Sequence, residues 1–260
     1  PICTPFDLLS LKDIIELKPS AIKIASADLL NFDLIKEASK FRVPIILSTG
    51  MHNEIEIINS VNFTRNLTKN FILLHCISTY PAPDESLNLR YISRLKKLTG
   101  CLIGYSSHDD GILPSVLASS LGAVIIEKHI TWNKNAIGPD HNASLELEDF
   151  AKMVSGIKKI DNMLGDSSVE KKISQGEMIN RTNLSKSIYA KVDIKKGETI
   201  DRKKIIIRSP GVGIEGFKFK DIEGLKINYN LNKNQVFEYK HFDKFKKNFS
   251  KELKKDFDFG

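Results

Sequence analysis

Residues 101–129 read CLIGYSSHDDGILPSVLASSLGAVIIEKH, and this stretch indicates how the first part of the chain folds. Two short apolar runs, Cys101–Tyr105 and Ala123–Ile126, flank a helix-like segment at Ile112–Leu121. Short, nearly continuous runs rich in Ile, Leu or Val are typical of strands that are buried on both faces. A strand, a helix and a strand in this order predict a parallel βα unit.

The same pattern extends upstream through the first part of the chain. Three more apolar runs precede this stretch, so that the five runs begin about 22 to 30 residues apart: Ala21–Ala25, Val43–Leu47 and Phe71–Leu74. Helix-like segments lie between the runs and after the last one: Asn31–Phe41, Glu54–Asn66, Leu89–Leu98 and Leu145–Leu164. Asn53 and Glu56 form a capping-box pattern at the start of the second of these segments.

Repeated βα units predict an α/β fold, and we favour a partial TIM barrel, (β/α)8, in which residues 1–165 supply about the last five units. The rival is an open sheet of five strands, which would leave unpaired edges and an uncovered hydrophobic face. The opening residues, Pro1–Asp7, resemble the end of an earlier strand. We therefore expect that roughly two and a half βα units of the barrel are absent from this chain.

Polar and ionisable side chains lie within or after each of the five predicted strands. They are Lys23, Ser26 and Asp28; Ser48 and Thr49; His75, Ser78 and Tyr80; Ser106, Ser107 and His108; and Glu127, Lys128 and His129. The carboxyl ends of all strands in a (β/α)8 barrel point to one mouth, where the active site is built. The sequence therefore predicts one active site that combines residues from five strand ends.

His108 and His129 are candidate metal ligands because they follow two neighbouring strands. Two imidazoles, completed by water and substrate oxygens, suit a labile divalent ion such as Mn²⁺ or Mg²⁺. Their spacing of 21 residues matches no zinc finger. The alternative interpretation is a pair of partly buried structural histidines.

A lysine and several hydroxyl groups predict a site for a compact dianion such as a phosphate group. Lys23 lies within the first predicted strand, Ser26, Ser48 and Ser106 follow predicted strands, and Thr4 lies at the leading edge of the sheet. A cation and hydroxyl donors are the groups that bind a phosphate well. Hydroxyl groups near strand ends also cap helices, but capping does not explain the lysine.

A different pattern begins after residue 165. Turn-forming residues predict a linker at 166–184, and short β-like runs follow it: Ser187–Lys191, Lys204–Arg208, Leu225–Ile227 and Gln235–Tyr239. We predict a small, mostly β domain at 185–242 and a basic tail at 243–260.

Composition and charge exclude several classes of protein. The 260 residues are 41% hydrophobic and 27% charged, which suffices for a core and does not indicate disorder. No apolar run approaches the ~18–20 residues of a membrane span, so we expect no membrane partner. The three widely spaced cysteines indicate a reducing compartment, and we expect a cytoplasmic protein.

The net charge of +7 arises from residues 181–260, which hold 20 basic and 11 acidic residues. Lysines and phenylalanines are loosely interleaved at 240–251, as in some proteins that bind nucleic acids. We favour a solvated, lysine-rich terminus with no nucleic-acid partner. A third interpretation is that this basic region lies beside an anionic substrate.

Ten short motifs run in a fixed order through nearly 200 residues: Thr4–Phe6, Lys23–Ser26, Ile46–Met51, Leu74–Cys76, Tyr80–Pro83, Asn88–Arg90, Gly104–His108, Glu127–His129, Gly138–Leu145 and Asp193–Glu198. Together they resemble the sialic acid synthase family, which condenses phosphoenolpyruvate with N-acetylmannosamine or a related aldose. The family's C-terminal module is similar to type III antifreeze proteins. The resemblance thus implies that the small β domain is an antifreeze-like SAF domain of the β-clip type.

The resemblance also implies a role for each candidate residue. The groups that would hold phosphoenolpyruvate are Thr4, Lys23, Ser26, Ser48 and Ser106, and those that would contact the amino sugar are Tyr80 and Asp140. Ser78 is a further substrate-binding candidate, at a position that often carries a different polar residue in the family. His108 and His129 would bind the metal ion, and Asp28 stands where the family usually has a glutamate near the reacting centre. The implied catalytic set is Lys23, Asp28, Ser106, His108 and His129.

The resemblance further implies a domain-swapped homodimer. In the family, the antifreeze-like domain of one subunit covers the barrel mouth of its partner, and an arginine beside a Pro-Gly turn reaches into that partner's site. Arg208 is the corresponding candidate here.

This sequence departs from the family pattern at two of these motifs. The family commonly has Ser-Asp-His where this chain has Ser106-Ser107-His108, so a hydroxyl group replaces a carboxylate. The family's Arg-Pro-Gly appears here as Arg208-Ser209-Pro210-Gly211, which moves the arginine back by one position. One step along a strand reverses the direction of a side chain.

Two alternatives to a sialic acid synthase stay open. Residues 138–144 look more like sialic and legionaminic acid synthases than pseudaminic ones, so a legionaminic acid synthase is the second choice. A hypothesis of another class is an inactive sugar-binding or assembly module. We also expect these 260 residues to be inactive when they are expressed alone.

Overall fold

The computed structural model describes residues 1–166 and 168–245, and the chain divides into two compact units between Ser168 and Val169. The first unit contains one sheet of six parallel strands: β1 (Ile2–Cys3), β2 (Ala21–Ile24), β3 (Ile45–Ser48), β4 (Phe71–Cys76), β5 (Ile103–Ser107) and β6 (Ile126–Lys128). The strands are ordered in the sheet as they are in the chain. Strand β1 is the earlier strand whose end the opening residues indicated.

Helices connect successive strands of this sheet, and a sixth helix follows β6. They are α1 (Leu8–Glu16), α2 (Phe32–Ser39), α3 (Glu54–Leu67), α4 (Tyr91–Thr99), α5 (Leu113–Ser120) and α6 (Leu147–Leu164). Crossovers between parallel strands are right-handed, so a sheet with sequential strand order carries its connecting helices on one face. This is the arrangement of a barrel and differs from that of a doubly wound sheet. The prediction of a partial (β/α)8 barrel is confirmed.

The two faces of the sheet bury different sets of side chains because alternate residues of a strand point to opposite faces. The helix-facing set packs with the helices in the main core, and it includes Ile22, Ile24, Ile45, Leu47, Leu73, Ile103 and Tyr105. The inner set is a smaller cluster of Ala21, Ile46 and Leu74, against which Ile125 packs. A Cβ atom at Gly104 would lie 2.5 Å from Leu74 Cδ2, so the absence of a side chain there allows this inner layer to close.

The capping box of α3 forms as the sequence predicts. The Asn53 amide donates to Glu56 Oε2 at 2.8 Å, and the Glu56 amide donates to Asn53 Oδ1 at 3.0 Å. Helix α1 was not among the predicted elements, although Asp7 is a good N-cap and accepts bonds from the amides of Leu9 and Ser10.

The second unit contains helix α7 (Gln175–Leu184), the antiparallel strands β7 (Ser187–Ala190) and β8 (Ile205–Arg208), and the short helix α8 (Phe219–Ile222). Helix α7 lies inside the predicted linker at 166–184. It begins with a capping box between Ser174 and Glu177, which compensates for the low helix propensity of Gly176.

The prediction of strands at Leu225–Ile227 and Gln235–Tyr239 was wrong. Each segment forms only an isolated bridge, Thr199 with Lys226 and Tyr189 with Val236. The apolar residues that suggested strands are nevertheless buried in the core of the unit, as Ile227 and Phe237 are. Burial of irregular backbone is tolerated here because its amides find carbonyl partners, for example Phe237 N with Ile188 O.

Among the described residues, no helix has both the length and the apolar character that crossing a bilayer requires. The predicted basic tail at 243–260 lies mostly outside the described residues, since the structure describes only residues 243–245 of it.

Candidate active site

The inner face of the sheet changes from apolar to polar toward the carboxyl ends of the strands. Two residues beyond the inner layer formed by Ala21, Ile46, Leu74 and Ile125, the chain places Lys23, Ser48, Cys76 and Glu127. Ser106 stands in register with both Cys76 and Glu127 on neighbouring strands. The period of two therefore collects one lysine, one carboxylate, one thiol and two hydroxyl groups at the same level.

A cavity of about 530 Å³ opens at this level. Nine of the predicted site residues line it: Thr4, Lys23, Ser26, Ser48, Ser78, Tyr80, Ser106, His108 and His129. They come from the ends of all six strands, although the first and last are 125 positions apart in the chain. The structure thus brings together residues that the sequence placed only at separate strand ends.

Three predicted site residues do not line this cavity. Asp28 ends a short 3₁₀ helix at Ser26–Asp28, and its carboxylate accepts a bond from Asn31 Nδ2 at 2.9 Å. Asp140 lies beside His129 with 3.7 Å between Oδ2 and Nδ1. Arg208 belongs to the second unit, where its guanidinium group lies 4.6 Å from the centre of the Tyr189 ring and donates to the Asn234 carbonyl.

One side of the cavity is suited to an anion. Lys23 Nζ lies 3.3 Å from Glu127 Oε1, and the Ser106 hydroxyl donates to the same oxygen at 2.8 Å. Ser48 is buried, and its hydroxyl has no hydrogen-bond partner among the residues that the structure describes. A buried hydroxyl without a partner is rare and is expected to bind a ligand or an ordered water molecule.

The two candidate metal ligands are neighbours in the same cavity. The rings of His108 and His129 are 5.3 Å apart between centroids and are inclined by 70°. His108 Nδ1 lies 2.8 Å from the Ile77 carbonyl and therefore carries the proton, which leaves Nε2 as the electron-pair donor. The Tyr80 hydroxyl lies 3.1 Å from that Nε2.

The environments of these histidines shift their pKa values in opposite directions. Burial lowers the pKa of His108, but hydrogen bonds to Cys76 and to the Ile77 carbonyl outweigh burial, so that the pKa is raised overall. Burial lowers the pKa of His129, and the neighbouring His108 lowers it further. The lowered pKa favours the neutral form of His129, which is the form that binds a metal ion, whereas a metal ion at His108 would have to displace a proton from Nε2.

The imidazole nitrogens of His108 and His129 fit a labile divalent ion that takes two ligands from the protein. The described residues contain no group of three or more His, Cys, Asp and Glu side chains that could hold a metal ion. The remaining coordination positions would thus be left to water and substrate oxygens, as is common for Mn²⁺ and Mg²⁺. A metal ion at His108 Nε2 would replace the Tyr80 hydroxyl as its partner.

Sequence profiles identify the family of this chain. The profile described as the NeuB family matches residues 1–169, and that of the SAF domain matches residues 185–243. The chain belongs to the NeuB family.

The relatives of this chain include proteins named as synthases of N,N'-diacetyllegionaminic acid, pseudaminic acid and N-acetylneuraminate 9-phosphate. An N,N'-diacetyllegionaminic acid synthase of Campylobacter jejuni is 38% identical over 90% of this chain and 71% of its own length. The human N-acetylneuraminate-9-phosphate synthase is 35% identical over 84% of this chain and 60% of its own length. An uncharacterised protein of Methanocaldococcus jannaschii is 41% identical over 82% of this chain, which spans 63% of that relative.

A crystal structure agrees with this assignment to the NeuB family. An N-acetylneuraminic acid synthetase of Leptospira borgpetersenii, solved in complex with citrate, is 37% identical and superposes with a TM-score of 0.64. The alignment covers 68% of this chain and 62% of that protein.

Two cavity residues with ionisable side chains, Cys76 and Glu127, were missing from the predicted site of this NeuB-family chain. Glu127 follows a predicted strand and begins the motif Glu127–His129, but its contacts with Lys23 and Ser106 are seen only in the structure. Cys76 lies 3.7 Å from His108 Nδ1 and accepts a bond from the Ser26 hydroxyl. Burial raises the pKa of its thiol, but the bonds from His108 and Ser26 outweigh burial and lower it overall. The period of two from Ile125 and Leu74 could have identified both residues.

His75 does not reach the cavity, because it points to the helix-facing side of β4. Its Nε2 donates to the Leu87 carbonyl at 2.8 Å, and its ring packs near Tyr91 and Tyr105. This placement agrees with a structural role.

Proposed function

We propose that the protein containing this chain condenses phosphoenolpyruvate with N-acetylmannosamine, or a related N-acetylated aldose, and water to give a nonulosonic acid and phosphate. The observation that carries the proposal is the single cavity in which a lysine, several hydroxyl groups and two neighbouring imidazoles converge. The C. jejuni and human relatives, which are named as synthases of such acids, support the same reaction.

The phosphate of phosphoenolpyruvate is assigned to the part of the cavity that holds Lys23, Ser48 and Ser106. Lys23 is largely shielded beside Glu127, with 15% of its side chain exposed. When a phosphate dianion binds, the lysine would exchange its carboxylate partner for a more highly charged one. The unpartnered hydroxyl of Ser48 would donate to a phosphate oxygen, as would the hydroxyl groups of Ser26, Ser106 and Thr4. These groups hold the leaving phosphate throughout the reaction.

The amino sugar is assigned to the side that carries the two histidines. Tyr80 lies beside both histidines, with its ring 4.1 Å from that of His108 and 5.8 Å from that of His129. Tyr80, Ser78 and Asp140 would orient the open-chain sugar there, and Asp140 would also orient the His129 ring. Mn²⁺ or Mg²⁺ bound by His108 and His129 would supply Lewis-acid polarisation of the aldehyde oxygen.

In the proposed reaction, the electron pair of the C2–C3 double bond of phosphoenolpyruvate forms a bond from C3 to the aldehyde carbon, and the aldehyde oxygen becomes a hydroxyl group. The proton for this hydroxyl group comes from the water molecule whose oxygen adds at C2. The bond from C2 to the phosphate oxygen then breaks, the new C2 hydroxyl group gives its proton to the departing phosphate, and a 2-keto acid remains. Lys23 and Ser106 would stabilise the charge that stays on the phosphate. Asp28 has less support as a catalytic group, because its carboxylate is bound to Asn31 and it does not line the cavity.

Phosphate release from phosphoenolpyruvate tests this function in the full-length protein. We expect release only when a sugar and a divalent ion are both present. The sugar is N-acetylmannosamine or a diacetamido hexose, and the ion is Mn²⁺ or Mg²⁺. Omission of the sugar or addition of a chelator should reduce release to background. Release that continues without any sugar would indicate a phosphatase, and no release with any N-acetylated aldose would support an inactive binding or assembly module.

The identity of the sugar is a separate question within the same function. The C. jejuni relative is named for N,N'-diacetyllegionaminic acid, which supports a diacetamido hexose as the alternative to N-acetylmannosamine. The kcat/KM values for the two sugars, measured side by side, decide between them. We retain N-acetylmannosamine as the first choice, and a kcat/KM at least about tenfold higher for the diacetamido hexose would reverse it.

We further propose a cytoplasmic, domain-swapped homodimer in which Arg208 serves the site of the partner subunit. The chain spans 63% of the M. jannaschii relative and 62% of the Leptospira protein, so the dimer and the activity are assigned to the full-length protein. We expect these 260 residues alone to be poorly soluble and inactive, and a stable, active monomer would contradict this expectation.

A further inference from the structure

A buried polar cluster lies directly behind the proposed active site, on the helix-facing side of β5 and β6. We define the Asp109 cluster as Tyr105, Ser107, Asp109 and Lys128. The side chains of Asp109 and Lys128 are both 0% exposed, and Lys128 Nζ lies 3.3 Å from Asp109 Oδ1. A fully buried ion pair is costly unless further hydrogen bonds satisfy both partners.

The hydrogen bonds within the Asp109 cluster satisfy both charges. Tyr105 and Ser107 donate to Asp109 Oδ2 at 2.5 and 2.8 Å. Lys128 Nζ donates to the Ser107 hydroxyl at 2.9 Å and also to the backbone carbonyl of Asp109. Burial and the bond to Asp109 raise the pKa of Tyr105, so its phenol keeps the donated proton.

The Asp109 cluster joins the two strand ends that carry the candidate metal ligands. Asp109 directly follows His108, and Lys128 directly precedes His129. Ser107 and Lys128 are register partners across β5 and β6. Through its bonds to Ser107 and Asp109, which flank His108, Lys128 therefore links this end of β5 to the end of β6 that precedes His129.

The cluster also accounts for the hydroxyl group in the motif Ser106-Ser107-His108. A carboxylate is still present at this level, because Asp109 reaches back to within 2.8 Å of the Ser107 hydroxyl. The carboxylate is at position 109 in this chain, whereas the common Ser-Asp-His pattern places it two residues earlier, at the position of Ser107.

We propose that Asp109 and Lys128 are positioning residues, which set the distance and inclination of the His108 and His129 rings for a shared divalent ion. This inference rests on the proposed function only in assigning that ion to the two histidines. A purely structural ion pair is the competing explanation, and it would affect stability without a separate effect on the histidines.

Replacement of the pair in the full-length protein separates these explanations. Asp109→Asn and Lys128→Met each leave one buried charge unpaired, so both should lower the thermal midpoint. The double variant removes both charges and should regain most of the lost stability. Because the ion pair no longer links the ends of β5 and β6, the double variant should still bind Mn²⁺ about 10- to 100-fold more weakly than the wild type. A titration followed by electron paramagnetic resonance measures this affinity.

The matched controls are Asp110→Asn and Lys134→Met, which break the neighbouring ion pair. Asp110 and Lys134 contact each other at 2.5 Å, but the Asp110 side chain is 70% exposed. These variants should bind Mn²⁺ like the wild type. A double variant of Asp109 and Lys128 that recovers both stability and Mn²⁺ affinity would overturn the positioning role.

A metal-free measurement distinguishes failure of this inference from failure of the proposed function. If the wild type binds no Mn²⁺, the metal assignment is wrong, and ¹⁵N-histidine spectra of the metal-free protein decide the positioning role. The resonances of His108 and His129 should shift in the double variant and stay unchanged in the Asp110→Asn control. Unchanged resonances in the double variant would contradict the inference.

Discussion

Gly50 lies against three side chains of the cavity. A Cβ atom at this position would be 2.2 Å from Ser78 Oγ, 2.9 Å from Ser26 Oγ and 3.0 Å from Cys76 Sγ, so Gly50→Ala must displace at least one of them. We expect kcat/KM for phosphoenolpyruvate to fall about 10- to 100-fold, since misplacement of binding groups by about 1 Å has effects of this size. Steady-state kinetics of phosphate release provide the measurement.

Gly176→Ala is the matched control for Gly50→Ala. Gly176 lies in α7, and a Cβ atom there would meet no atom within 4 Å. This variant should keep wild-type kinetics and be slightly more stable, because alanine has the higher helix propensity. Equal activity of the two variants would show that the Gly50 contact does not shape the site.

His75 should make the stability of the fold sensitive to acid. Burial lowers its pKa below the ordinary value of 6.5, despite the bond to the Leu87 carbonyl. At a pH between the lowered pKa of His75 in the folded protein and its ordinary value of 6.5, the unfolded chain binds more protons than the folded one. The free energy of unfolding therefore falls as the pH drops below 6.5, and above 6.5 it does not depend on His75.

The variant His75→Gln keeps an N–H donor for the Leu87 carbonyl but cannot be protonated in this range. One histidine contributes a slope of at most about 1.4 kcal/mol per pH unit, and His75→Gln should reduce the total slope. Burial also lowers the pKa values of His129 and His241, so some slope should persist. Urea unfolding at a series of pH values measures it, and an unchanged slope would contradict the assignment.

The sequence could predict the residues whose roles follow from their position on a strand. Lys23, Ser48 and Ser106 were found because polar groups at strand ends share one mouth of a barrel. Cys76 and Glu127 lie on the same period of two, but their contacts across the cavity depend on the register between strands, which the separate motifs do not show. The surroundings of Asp140 and Arg208 likewise depend on loop conformations.

At the scale of elements, the capping box of α3 should contribute measurably to stability. Asn53→Ala removes the acceptor for the Glu56 amide and should lower the free energy of unfolding by about 1 kcal/mol. Chemical denaturation measures this change. Asn59→Ala on the exposed middle of the same helix is the control, and it should be neutral or slightly stabilising. Equal losses from both variants would contradict the role of the cap.

The elements of the first unit were more predictable than those of the second. Parallel strands buried on both faces appear as apolar runs, and α2 to α6 lie between or after such runs. In the second unit, Ile227 and Phe237 are equally buried but lie in irregular backbone, and apolar content alone does not distinguish the two cases. Helix α1 escaped prediction because it precedes the first recognised run.

At the scale of the whole molecule, the proposed swapped dimer predicts complementation between two inactive variants. His129→Ala removes a candidate metal ligand from the first unit, and Arg208→Ala removes the candidate partner contact from the second. If each site combines residues of two subunits, a mixed dimer contains one site with neither substitution. Co-refolded variants should therefore recover up to about a quarter of wild-type phosphate release.

Each variant refolded alone should release little phosphate, which is the control for this experiment. Complementation fails if Arg208 and His129 serve the same site from one subunit, or if Arg208 has no role in the reaction. Full activity of Arg208→Ala alone identifies the latter case. Its present contacts with Tyr189 and Asn234 would then be its whole function.

The central claim is that one cavity binds both the divalent ion and the phosphate of phosphoenolpyruvate. A crystal structure of the full-length protein with Mn²⁺ and phosphoenolpyruvate, with anomalous scattering to locate the metal, tests it most directly. We predict a manganese peak shared by His108 Nε2 and the His129 ring, and phosphate density against Lys23 and Ser48. Unligated imidazoles together with a phosphate bound elsewhere would contradict the account.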